Sequence, residues 1–228
     1  MPALPEIRWQ FGPADIQLGG QATLRLPQGY LWSDPGETKR FLEASGNPPS
    51  GQEVAIIGPL DLAWFAVFSF DGYETMGFLK GSTPDVEAIT QALRRGNEEA
   101  NNERARQGQT TLDLVDWAQR PRYDPVSKNL EWSLHTVESG GREVANYFTF
   151  YLGRDGVMSV EMVTNPKDLP RHQAALKSLL RGFRFLPGKS HMVRDVPGWW
   201  WAIPVVPALA AMTLVIFRRR RSTEPRPN

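Results

Sequence analysis

The chain reads as an α+β domain with a mainly antiparallel sheet, about three packing helices and one C-terminal transmembrane helix. Three observations predict this. Short runs of alternating apolar and polar residues follow one another with glycine-containing turns between them, the pattern of antiparallel hairpins. Three other stretches place apolar residues three and four apart, which is the helical period. Finally, residues 199–217 (WWWAIPVVPALAAMTLVIF) carry no charge and run straight into Arg218, Arg219, Arg220 and Arg221.

Each element has its own signal. Residues 14–26 (ADIQLGGQATLRL) alternate around Gly19-Gly20 and predict a hairpin. Asp34-Pro35 opens a helix to about Ala44, because an aspartate caps free N–H groups and proline lacks one at a position where none is needed. SGNPPSG stops it. Residues 54–58 (VAIIG) and 62–70 (LAWFAVFSF) predict strands. The second is apolar at both parities, so it belongs inside the sheet with both faces covered. Ser82, Thr83 and Pro84 start a second helix, with Asp85 and Glu87 near its positive end and Val86, Ile89 and Leu93 as its apolar stripe.

Past Gly96 that stripe fades into NEEANNERARQGQ. Asn97, Asn101, Asn102, Glu103 and Arg104 would share a helix surface there, read as a solvated face. Strands are expected at 112–119, 129–138, 143–152 and 157–163, the last three joined by ESGG and GRDG. Residues 168–181 form an amphipathic helix through Ala175, Leu176, Leu179 and Leu180, and GFRF makes a closing strand.

The C-terminal segment dictates a location. Nineteen residues rise about 28 Å as a helix, against a hydrocarbon layer of roughly 30 Å. Trp199, Trp200 and Trp201 suit the headgroup interface, and the arginines suit retention on the cytoplasmic side. The organisation expected is an extracytoplasmic domain over residues 1–186, a tether over 187–198, the span over 199–217 and a basic cytoplasmic tail over 218–228. Residues 1–30 hold no basic stretch followed by an apolar one, so export of the domain calls for a leader upstream of Met1. The alternative is a tail anchor that keeps residues 1–197 in the cytoplasm.

Composition narrows the function. Of 26 Lys+Arg and 25 Asp+Glu, the tail takes five arginines and one glutamate, leaving 21 against 24 before it, a net −3. So balanced a domain has no basic field for nucleic acid. The lipid bilayer is the expected partner, with another membrane or envelope protein beside it. The chain has no cysteine, hence no disulfide, thiolate metal site or cysteine nucleophile. His135, His172 and His191 lack metal-ligand spacing, and no metal or cofactor is expected. GxSxG, GxxxxGK[ST] and a GxGxxG after a strand are all absent, which disfavours the common enzyme classes that need them.

The densest polar-aromatic stretch is VDWAQRPRYDP, containing Trp117 and Arg120. Within it Arg122, Tyr123 and Asp124 combine a guanidinium fork, an aromatic and a carboxylate that together suit a polar ligand. The structural alternative is a turn at Tyr123-Asp124-Pro125 with Arg122 paired locally. Asn146 sits among apolar strand residues, where a buried amide must find hydrogen bonds. Arg154 and Asp155 beside Gly156 read first as hairpin-turn residues. Arg122, Tyr123, Asp124, Asn146 and Arg154 are therefore the candidate ligand-binding set. No catalytic residue is assigned.

ATLRLPQGY, GNPPSGQEVAIIGP, NEEANNERARQGQ, VDWAQRPRYDPVSKNLEWSL, NYFTFYLGRDGVMSV and LLRGFRFLPG occur in this order over most of residues 9–188. Together they resemble a bacterial family of uncharacterised membrane-anchored proteins, a domain of unknown function. The resemblance implies an exported domain with a C-terminal membrane segment and carries no activity. Where that family tends to have an acidic run after the aromatic strand, this chain has FDGYETMGFLKGS. The closing helix followed by GFRF is also similar, by analogy of fold, to secreted α/β/α sandwich domains of the PsbP and Mog1 type. The function expected is a non-enzymatic binding or scaffolding domain tethered at the outer face of a bacterial cytoplasmic membrane. The alternative is an envelope enzyme, such as a hydrolase, using Tyr123, Asp124, Asn146 and Arg154.

Overall fold

Strands β1 (Gln10–Phe11), β2 (Ala14–Leu18), β3 (Ala22–Leu26) and β4 (Tyr30–Ser33) open the fold in a computed structural model that describes residues 6–47, 49–72, 86–106, 108–124 and 129–190. Between β2 and β3, Gly19 and Gly20 take φ of 58° and 66°, the left-handed pair that a tight hairpin turn of matching twist requires. Helix α1 (Pro35–Ala44) begins where the sequence predicts, with the Asp34 side chain accepting the Glu37 N–H at 2.9 Å. Then follow β5 (Glu53–Pro59), β6 (Phe65–Gly72), α2 (Val86–Arg106), β7 (Leu112–Asp124), β8 (Asn129–Glu138), β9 (Glu143–Leu152) and β10 (Gly156–Thr164). A single 3-10 turn at Pro166–Asp168 leads into α3 (Leu169–Leu180), and β11 (Phe183–Phe185) closes the domain.

The strands form an eight-stranded sheet in the order β1-β4-β5-β6-β10-β9-β8-β7 and a three-stranded sheet in the order β11-β3-β2. All the pairings are antiparallel. Strand alternation then divides the large sheet into two faces. Ala66 and Phe68 of β6, Met158, Val160 and Met162 of β10, and Tyr147 of β9 face α3 and the small sheet, packing on Leu176, Leu24 and Phe183. On the other face, Ile56, Phe65, Val67 and Val163 pack with Leu42 of α1. Trp132, Leu134, Phe148 and Phe150 pack there with Leu93 of α2. β6 is thus interior and buried on both sides, as its unbroken apolar run predicts.

The structure corrects four readings. The strand expected from residue 62 starts at Phe65. Asp61 accepts the Ala63 N–H at 3.1 Å, and Leu62 takes φ 48°, so a local turn wins over apolar character. The strand expected at 112–119 runs on to Asp124 through Pro121, with register shifts on both sides of Trp117 and between Gln119 and Arg122. β7 is an edge strand, where a missing N–H costs no ladder bond. Tyr123 and Asp124 are therefore strand residues. Two short strands, β1 and β4, carry too little pattern to be read from sequence.

The polar half of α2 is solvated only in part: Asn102 is exposed, whereas Asn97, Asn101 and Arg104 turn toward the sheet. Arg104 is 1% exposed, and both Asn97 and Asn101 donate to the Leu112 carbonyl, at 2.8 and 2.7 Å. Asn101 also accepts the Leu112 N–H at 2.9 Å. These amides complete the backbone of an edge strand, a role no helical period reveals. The side chains of Val86 and Ile89, the expected cap at 82–85 and the expected membrane span at 199–217 lie outside the described residues. Among the described residues no helix is long and apolar enough to cross a membrane.

Candidate functional site

VDWAQRPRYDP splits across the sheet. Its first half lines a groove of about 200 Å³ between α2 and β7, bounded by Thr90, Leu93, Arg94, Leu114, Trp117 and Arg120. Trp117 Nε1 donates to Thr90 Oγ1 at 3.3 Å, fixing the indole against the helix. Small-molecule sites usually enclose roughly 300–1,000 Å³, so this groove is small for one.

The second half faces α3, where Arg122 pairs across the ladder with Glu131 and Asp124 with Asn129. Glu131 is fully buried, and α3 supplies its partners. Lys177 Nζ lies 2.8 Å from Glu131 Oε2 and 3.2 Å from Asp124 Oδ2. Gln173 Nε2 donates to Glu131 Oε2 at 3.4 Å, and Tyr147 Oη, from β9, donates to the same oxygen at 2.7 Å. The Arg122 guanidinium is 3.8 Å away on the solvent side. Burial, reinforced by the Glu131 charge, pushes the Tyr147 hydroxyl far above its ordinary range, so it stays a donor. Burial also pushes Tyr151, four residues on, up to about 12. Two cations answer two carboxylates. The cluster clamps α3 onto β7, β8 and β9 and exports no net charge.

The opposite face holds a second set of buried polar groups with a different character. Asn146 on β9 and Glu161 on β10 are 0% and 1% exposed. Asn146 is paired with Val163 and Glu161 with Phe148, which makes the two diagonal neighbours on one face. Neither Glu161 oxygen, and neither polar atom of the Asn146 amide, has a hydrogen-bond partner. Ser159 and Ser69 adjoin them, with Ser159 Oγ donating to the Ser69 carbonyl at 3.3 Å. Burial raises the Glu161 carboxyl well above the usual carboxylate range. Arg104 of α2 opposes that shift and Glu53 adds to it. Glu161 thus sits at the centre of the sheet with its carboxyl biased toward the protonated form.

Of the five ligand-binding candidates, the structure brings Arg122 and Asp124 to the same ion-pair cluster, Arg122 through Glu131 and Asp124 through Lys177. The Tyr123 side chain lies outside the described residues. Asn146 is on the far side of the sheet. Arg154 is exposed on the β9–β10 turn, its N–H donating to the Lys189 carbonyl at 2.7 Å. Trp199, Trp200, Trp201, Arg218, Arg219, Arg220 and Arg221 lie outside the described residues. Among the described residues no group of three or more His, Asp or Glu side chains is placed to hold a metal ion.

Sequence reasoning passed over Glu131, Tyr147, Gln173, Lys177 and Glu161. In NLEWSLHTVE the apolar residues at one parity and polar ones at the other look like an ordinary half-exposed strand. Only the docking of α3 turns the polar parity inward. Glu161 did leave a signal, a single charge inside the apolar run GVMSVEMVT.

The family model described as "Protein of unknown function (DUF2167)" matches residues 10–194, most of the chain. No curated protein matches the sequence. Among solved structures, the solution structure of cyanobacterial PsbP (CyanoP) from Synechocystis sp. PCC 6803 is similar at a TM-score of 0.46 and 11% identity. The match covers 82% of this chain and 97% of that one.

Proposed function

The chain belongs to the DUF2167 family of unknown function, and from that premise we propose a non-enzymatic binding or scaffolding domain held at the outer face of a bacterial cytoplasmic membrane. The observation that carries the anchor is the uncharged segment 199–217, entered through three tryptophans and left through four arginines. What supports a binder over an enzyme is the scatter of the expected catalytic set. Asp124 is tied to Lys177 on one face, Asn146 is buried on the other, and Arg154 is out on a turn. No single substrate could touch them all. The expected partners are the bilayer and a second envelope or membrane protein.

Carbonate washing of membranes tests the anchor. The intact chain stays with the vesicles, and its release into the supernatant would overturn the reading. Alkaline phosphatase fused to the N-terminal region tests the side. Active phosphatase places residues 1–197 outside, whereas inactive phosphatase supports the tail-anchored arrangement. Pull-down of the detergent-solubilised chain should recover a reproducible membrane-protein partner.

A further inference from the structure

The chain does not leave the domain freely after β11. Leu186 N–H donates to the Gln21 carbonyl at 2.9 Å, and Gly153 and Ser190 form an antiparallel bridge. Arg154 N–H donates to the Lys189 carbonyl at 2.7 Å, and Lys189 Nζ reaches Asp155 Oδ2 at 2.5 Å. Glycine at 153 leaves room for this close approach, since a Cβ there would lie 2.8 Å from Phe185 Cε1 and one of the two would have to shift. Residues 187–190, the first third of the expected tether, are thus stapled to the β9–β10 turn.

That turn marks one end of the large sheet. Gly156 pairs with Gly72 there, and Asp124 and Asn129 close the β7–β8 ladder at the same end. Arg181, at the C-terminus of α3, and Arg154 are exposed beside it, while the Lys189 charge is matched by Asp155. The opposite end carries Leu60, Ser139 and Glu143. Phe11 and Leu60, at 61% and 57%, are the exposed large hydrophobic side chains among the described residues.

Eight residues, 191–198, separate Ser190 from Trp199, and fully extended they reach about 28 Å. The ten-residue strands β8 and β9 are about 34 Å long. A chain leaving one end of the sheet is used up before it can double back past the other. Building on the anchor reading above, we propose that the β9–β10 turn end of the domain is the surface that meets the lipid headgroups. Arg154 and Arg181 face anionic lipid, and the Phe11–Leu60 end is held away from the membrane.

The chain contains no cysteine, so single reporters can be placed cleanly. Full-length Arg154→Cys, Arg181→Cys, Leu60→Cys and Ser139→Cys, each labelled with bimane, are reconstituted into phosphatidylcholine–phosphatidylglycerol vesicles containing headgroup spin-labelled lipid. Quenching at 154 and 181 should exceed that at 60 and 139 by about two-fold or more, because the tether's reach keeps the far end off the headgroups. Equal quenching at the two ends, or the reverse order, overturns the proposal. A twelve-residue Gly-Ser insertion after Ser190 should erase the contrast, and a contrast unchanged by the longer tether would also overturn it. Carbonate extraction of the same vesicles separates the two readings. Protein washed off the lipid refutes the anchor, whereas retained protein with uniform quenching refutes only the orientation.

Discussion

Glu131 and Glu161 lie on the same sheet, equally removed from solvent, and point into opposite layers. Glu131 faces α3, which delivers Lys177 and Gln173, while Tyr147 on the neighbouring strand donates a third time. Glu161 faces the α1–α2 layer, where its neighbours on the sheet are Asn146, Ser159 and Ser69 and no donor reaches its oxygens. Desolvation disfavours a charge on either face. On one face a lysine and a ring of hydrogen bonds offset the penalty. On the other, burial raises the carboxyl well above the usual carboxylate range. Burial alone therefore says little about a glutamate; what the covering helix brings decides which partners it has.

If that contrast is right, removing partners should hurt on the α3 face and help on the other. The largest loss is expected from Lys177→Met, which takes the nearest cation from the fully buried Glu131 and the partly buried Asp124 and should cost about 3–5 kcal/mol in urea unfolding followed by tryptophan fluorescence. A loss under about 1 kcal/mol would mean that water reaches Glu131 after all. Tyr147→Phe removes a hydrogen bond to a charged acceptor and should cost roughly 1.5–3 kcal/mol by the same measurement.

Glu161→Gln should act through pH. The folded-state carboxyl titrates above its ordinary value near 4.5, so the folded protein holds the proton more tightly than the unfolded chain. Stability from this group is complete below about 4.5. It falls by about 1.4 kcal/mol per pH unit as the pH rises toward the folded-state value. Burial, then the Glu53 charge, raises Asp71 as well, with the same sign, but Asp71 is present in both proteins and cancels in the comparison. The glutamine variant should therefore pull ahead of the parent as pH rises from 5 to 8, and parallel profiles would show that Glu161 is ionised in the fold.

Asn146→Leu replaces an unpartnered buried amide with an apolar group of similar size. It should be neutral or stabilising by up to about 1 kcal/mol, where an amide with real partners would lose more than that. The smallest effect belongs to Arg154→Ala, an exposed turn substitution expected within about 0.5 kcal/mol of the parent.

Most of the fold was legible because its signals are local. The alternation in ADIQLGGQATLRL, the Asp34-Pro35 cap and the two-sided apolar run around Phe65–Phe68 each state their own secondary structure and burial. What was not legible depends on partners distant in sequence. Asn97 and Asn101 read as solvated until β7 is seen to need donors at Leu112. Glu131 reads as exposed until α3 covers its face. Pro121 argues against a strand unless that strand is known to be an edge. Of the candidate site, the chemistry of Arg122 and Asp124 points to ion pairing, and both join one cluster through Glu131 and Lys177, but Lys177 itself, in an ordinary amphipathic helix, gives no sign of its role.

The terminal strands of the large sheet have a consequence for molecules crowded side by side. One flank ends in β1, two residues long; the other ends in β7, broken by register slips and by a proline that offers no N–H. Neither border presents a straight ladder on which a neighbouring copy could continue the hydrogen bonding. Many such domains confined to one plane would meet often, yet they would stay separate instead of zipping into ribbons.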